Sequence, residues 1–264
     1  MRQLTPVVEK ILILNLIVFF AHNLLGWDLV ELLGLRYIFS SQFKPYQFLT
    51  HLFVHAGFNH LFSNMFTLIT FGPILEYNLS SKRFLSLYLI TGIGAALLYS
   101  LIFYLEIGRL ENLYQTYLAN PNPENFSIFL HKYPNIYNVF NNLNGFVYDF
   151  FQHADNPAYI AKSKTILAQF YTFKMDIPIV GASGAIFGIL TAFAMLFPNA
   201  RLSLLLLPIP IKAKYFLILY GMYELYAGIR DNPADNVAHF AHLGGILFAY
   251  LYIKWYQRSV LKKE

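Results

Sequence analysis

Ser183 lies in Gly181-Ala182-Ser183-Gly184, at the mouth of the apolar run AIFGILTAF. A serine hydroxyl attacks a carbonyl only when a base within hydrogen-bond reach takes its proton. The segment NVAHFAHLGGILFAY, residues 236–250, supplies His239 and His242, which are 56 and 59 positions further on. A third polar set stands in THLFVHAGFNHLFSNMF, residues 50–66, where His60 and Asn64 are at i,i+4 and so share one helical face. Both can donate hydrogen bonds to a developing oxyanion. A helix starting near Ser183 adds unpaired backbone N–H groups aimed at the same place. The chemistry in view is acyl transfer with a serine nucleophile, an imidazole base and an oxyanion pocket.

Each piece also has a plainer reading. Gly184 and Gly188 have the four-residue spacing of a helix-packing device. His51 and His55 precede the apolar run and could tie the first loop to the helix by hydrogen bonds. His239 and His242 at i,i+3 suggest metal, but no carboxylate completes an HExxH-type set, so no metal site is expected. Nor does the reading call for a cofactor.

These residues need elements to carry them. The chain has 264 residues, 57% hydrophobic and 12% charged, with a mean hydropathy of +0.46. A soluble domain carries about 25% charge, so the composition is that of a multi-spanning membrane protein. A spanning helix needs about 20 apolar residues. Six segments qualify or nearly do, at about 6–26, 58–77, 84–105, 181–197, 213–230 and 236–256. The expected fold is therefore all-α, a six-helix membrane bundle. It forms a single domain over 1–264, with residues 106–178 as an extracytoplasmic insertion between the third and fourth helices.

Charge sets the orientation. With the N-terminus inside, cytoplasmic stretches hold 11 of the 19 Lys and Arg residues. The positive-inside rule then favours cytoplasmic termini. The +5 net charge is spread in short clusters between apolar runs, a pattern that reports topology and not nucleic-acid binding. The absence of cysteine excludes disulfides and thiolate metal sites. No internal repeat is visible, which argues against a transporter.

The fourth segment is short, so its helix can begin below the outer surface, with MDIPIV descending to it as extended chain. The small faces of that segment and of the last one, which has Gly244, Gly245 and Ala249, allow close backbone approach. That approach could bring Ser183 to a histidine.

Taken together, HAGFNHLFSN, GASG and AHLGG on three separate segments resemble the HxxxN, GxSG and AHxxG motifs of the rhomboid intramembrane serine proteases. The resemblance covers everything except 106–178. It implies Ser183 as nucleophile and His242 as base, with His60, Asn64 and the Ser183 N–H as oxyanion hole. It further implies an aromatic ring at Phe187 stacking on the imidazole, and supporting roles for Gly181, Gly184, Gly245 and His239. The family uses a dyad, so no third acid is expected. Asp176, Asp231 and Asp235 are read as solvated loop charges, and Glu224 as structural or interfacial.

The partners implied are the lipid bilayer and single-pass transmembrane substrates. The expected location is a bacterial cytoplasmic membrane. The competing expectation is a catalytically silent relative that binds clients as a scaffold.

Overall fold

The computed structural model describes residues 4–204, 207–230 and 237–261. Twelve α-helices, one 3-10 turn and one β-hairpin make up these residues. Helix α1 spans Pro6–Leu24. The first loop carries α2 (Leu29–Leu33), α3 (Gln47–Thr50) and the 3-10 turn His51–Phe53. Helix α4 is Phe58–Leu79 and α5 is Ser81–Ala119. Then come α6 (Pro123–Lys132), α7 (Ile136–Val139), α8 (Leu143–Gln152) and α9 (Pro157–Asp176). Helix α10 is Ser183–Leu196, strands β1 and β2 are Arg201–Leu204 and Leu207–Lys212, α11 is Ala213–Arg230 and α12 is His239–Leu261.

Helix α10 is the axis of the bundle. Ten of its 14 residues are buried, enclosed by α4, α5, α11 and α12. A helix apolar on every side belongs in the middle of such an assembly. The surrounding core takes in Leu68, Leu75, Phe84 and Tyr88 on one side and Ala249 and Ile253 on the other. Among the described residues, α1 and α5 are long and apolar enough to cross a membrane, and α10 is a shorter apolar helix.

Two expectations need correction. The third segment does not stop near 105: α5 runs for 39 residues without a break. Between Leu105 and Ala119 there is no Pro, and the strong helix formers Glu106, Arg109, Glu111 and Gln115 outweigh the weaker Gly108, Asn112 and Thr116. The fourth segment is shorter than 181–197, because Gly181 (φ +121°) and Ala182 belong to the turn before the helix. The fold is all-helical as expected, with one short hairpin in which β1 and β2 pair antiparallel, Arg201 opposite Lys212, between α10 and α11. Pro208 and Pro210 exclude a helix there.

The 106–178 region is a helical assembly with its own core. Phe126, Phe129, Phe150 and Phe170 are fully buried and pack with Tyr117 and Ile107 of α5. Its helices start where capping chemistry allows. Asn122 Oδ1 accepts from Asn125 N–H (2.8 Å) ahead of Pro123, and Asn156 Oδ1 from Ala158 N–H (2.9 Å) ahead of Pro157. Asn at the N-cap with Pro at the first helical position is a strong start signal. The first loop holds the end of this assembly. Ser40 Oγ donates to Asp176 Oδ1 (2.5 Å), and the Arg36 guanidinium bonds the Asp176 carbonyl and pairs with Glu31.

Candidate active site

The chain between α9 and α10 is extended and gripped by the first loop. Leu35 and Ile179 exchange both backbone hydrogen bonds, at 2.9 and 2.8 Å. Gly181 N–H then donates to the His51 carbonyl (2.9 Å). Gly181 takes a left-handed backbone, and a Cβ there would lie 2.6 Å from His60 Nε2. Glycine is needed on both counts. The His60 ring thus rests against the turn that leads into Ser183, the first residue of α10.

Helices α10 and α12 cross with their backbones nearly touching. A Cβ on Gly245 would collide with the carbonyl oxygen and carbon of Gly184. A Cβ on Gly184 would collide with Ala95 of α5. Ser183 adjoins this crossing from one side, and His242 lies one turn before Gly245 on the other. The His242 ring is stacked on Phe187, with centroids 4.2 Å apart and planes 14° from parallel. Ser183 Oγ makes no hydrogen bond among the described residues.

Asn64 and His60 face the same region of α4. Asn64 Nδ2 is 3.0 Å from His55 Nε2, and the rings of His55 and His60 meet edge-on at 5.0 Å. An amide nitrogen carries two N–H donors, so bonding one to His55 leaves the other uncommitted. The His55 imidazole must be neutral to accept. Burial secures this by holding its pKa down to about 3. His51 is likewise buried, its pKa pushed down to about 4 by desolvation, with Nδ1 against the Gln47 carbonyl (2.8 Å).

The acid beside His242 is Glu224 of α11, read above as structural or interfacial. It is 2% exposed, and its Oε2 accepts from Nδ1–H of His242 (2.9 Å) and of His239 (2.6 Å). Asp176 is engaged by the first loop, and Asp231 and Asp235 lie outside the described residues. The signal for Glu224 was present as a lone acid in YGMYELYAG, but its partner depends on how α11 turns against α12. Gly228 sets that contact, lying against His239 and Phe240. A second buried acid, Glu76, escaped the sequence reading altogether. Its carboxylate accepts from Val7 and Val8 N–H at the start of α1.

The ligand atoms of Glu224, His239 and His242 lie within 4.8 Å of one another, a grouping that could hold a metal ion. Two ligands of one tetrahedral zinc sit about 3.3 Å apart, given metal–ligand bonds of about 2.0–2.1 Å. The 2.6 and 2.9 Å separations are those of N–H···O bonds.

The chain matches the Rhomboid domain family over residues 42–107 and 142–259. The match runs through 142–178, so the last part of the region set apart in the sequence reading belongs to the shared domain. The chain is similar to "Rhomboid protein 1, mitochondrial" of Saccharomyces cerevisiae, 36% identical over 88 residues, which is 33% of this chain and 24% of that protein. It is similar to "Rhomboid-like protein 11, chloroplastic" of Arabidopsis thaliana, 36% identical over 87 residues, 33% of this chain and 30% of that protein. The matches thus span less than a third of either curated relative. With the domain match covering well over half of its length, the chain belongs to the rhomboid family, whose domain is a polytopic membrane bundle.

Proposed function

We propose that the chain is an intramembrane serine endopeptidase that cleaves transmembrane segments of other membrane proteins. The observation that carries this reading is the α10–α12 crossing. It holds an imidazole, stacked on Phe187, beside the N-terminus of a buried helix that begins with serine.

In this reading Ser183 Oγ attacks the scissile carbonyl carbon as its proton passes to His242 Nε2. The tetrahedral oxyanion is held by His60, Asn64 and the Ser183 N–H. The C–N bond then breaks, and His242 returns the proton to the leaving amine. Water, deprotonated by the same imidazole, releases the acyl group and restores Ser183.

The substrates are single-pass helices that unwind near the cut. A closed helix hides its carbonyls in its own hydrogen bonds. Gly and Pro lower the cost of opening it by roughly 1 and 3 kcal/mol relative to Ala. At about 1.5 Å per residue α10 is roughly 21 Å long, against a hydrocarbon core of about 30 Å. This supports a Ser183 set below the outer surface. The Lys and Arg distribution supports cytoplasmic termini and an extracytoplasmic 106–178 region.

The second reading is a silent client-binding scaffold, favoured by the unbonded Ser183 hydroxyl. Catalytic hydrogen bonds in substrate-free enzymes often tighten only on binding. Fluorescent fluorophosphonate labelling of the solubilised protein separates the two. Wild type is expected to label, and Ser183→Ala and His242→Ala are not. A folded wild type that stays unlabelled, also after deletion of the 106–178 region, sinks the protease reading.

A further inference from the structure

The bundle buries two carboxylates, and their surroundings differ in kind. Glu76 is satisfied by the N–H groups of Val7 and Val8, each at 3.1 Å, and by Ser81 Oγ at 2.6 Å. It caps α1, which accounts for it as structure. Glu224 has no backbone donor among the described residues. Its partners are two imidazoles, one of them the candidate base. An acid inside an apolar helix is costly unless it is paired.

To donate to Glu224, His242 must carry its proton on Nδ1. That leaves the Nε2 lone pair, the atom a base needs. Nε2 has no partner among the described residues. Two independent constraints then hold the ring: Phe187 sets its plane, and Glu224 sets its rotation within that plane. His239 grips the same carboxylate oxygen.

We infer that Glu224 is a positioning residue for His242, so that the site works as a carboxylate–imidazole–serine set and departs from the two-member arrangement. This rests on the protease reading above. As Ser183 gives its proton to Nε2, the imidazolium carries its charge 2.9 Å from Glu224. The second proton stays on Nδ1, and the carboxylate remains ionised. The other groups facing the ring are His239 on its own helix, Tyr220 of α11 through Phe187, and His60 of α4. Helix α5 contributes Ala95 at the crossing.

The test compares wild type with Glu224→Gln, Glu224→Asp and Glu224→Ala on a reconstituted transmembrane substrate across pH. It is paired with nitrogen-15 NMR of labelled histidines in the Ser183→Ala protein, which needs no activity. Glu224→Gln keeps an acceptor oxygen but removes the charge. Its kcat should fall by roughly 10²- to 10⁴-fold with KM unchanged. Glu224→Asp should recover part of kcat, and Glu224→Ala none. The NMR should show the Nδ1–H form of neutral His242.

A Glu224→Gln kcat within threefold of wild type overturns the inference. So does an Nε2–H tautomer in the protein with Glu224 intact, a result that decides the matter if the Glu224 variants do not fold. Stoichiometric zinc binding that shifts both histidine signals at micromolar metal also overturns it, in favour of a metal site. An inert wild type that nonetheless shows the Nδ1–H form bonded to Glu224 removes the protease reading and leaves the positioning of His242 standing.

Discussion

Gly245 has no room for a single methyl group, because the Gly184 carbonyl occupies the place where a Cβ would stand. That oxygen is main chain, so no rotamer change relieves the clash. Gly245→Ala must push α12 away from α10, at a cost of about 1–3 kcal/mol for overpacking. The larger effect falls on the site, since a shift of about 1 Å in reacting groups can cost 10²-fold in rate. Fluorophosphonate labelling of Gly245→Ala is expected to slow by at least about 10²-fold while the protein stays folded. Labelling at the wild-type rate would show that the crossing does not set the serine–imidazole distance. At this scale the candidate residues are legible in the sequence as types. Ser183, His242, His60 and Asn64 stood out as polar groups at the mouths of apolar runs. Glu224 stood out too, yet its partners lie 15 and 18 positions away on the next helix, and no local spacing encodes that. Glu76 was hidden because, besides Ser81, its partners are backbone N–H groups nearly 70 positions earlier, which carry no sequence signal.

Between helices, the first loop does the holding, and it does so with buried neutral histidines. His51 offers its carbonyl to Gly181, and His55 steadies Asn64. Both have pKa values below the ordinary 6.5, at about 4 and about 3, because burial disfavours the imidazolium. Below pH 6.5 the unfolded chain therefore binds protons that the native chain does not. Stability should fall with pH from there, by up to about 1.4 kcal/mol per unit for each histidine. The fall should continue until the folded values are reached. Thermal unfolding in detergent from pH 7 to 4 checks this, and His51→Asn should flatten the slope. A midpoint that does not move over that range would refute it. Apolar length marks an element in the sequence: the helix Ala213–Arg230 lies over the apolar segment 213–230. An end was missed where nothing local stops a helix, as with α5, and the β1–β2 hairpin was not anticipated because its strands are short.

The molecule as a whole has two apolar cores, one around α10 and one inside the 106–178 region. Phe150 is wholly buried in the second. Phe150→Ala should destabilise that assembly by about 3–5 kcal/mol. Limited proteolysis should then cut within 120–176, while the remaining protein keeps its fluorophosphonate labelling. Loss of labelling in step with the cutting would mean that the two cores melt as one.

Helix α5 belongs to both cores. Its 39 residues make a rod of roughly 58 Å at about 1.5 Å per residue, nearly twice the thickness of a bilayer's hydrocarbon core at about 30 Å. Ala95, in its first half, lies against α10 and α12, and Tyr117, near its C-terminal end, is locked to Ser163 of α9. The helix is continuous between them, so the piece that packs against the α10–α12 crossing and the piece that anchors the 106–178 region are one covalent rod.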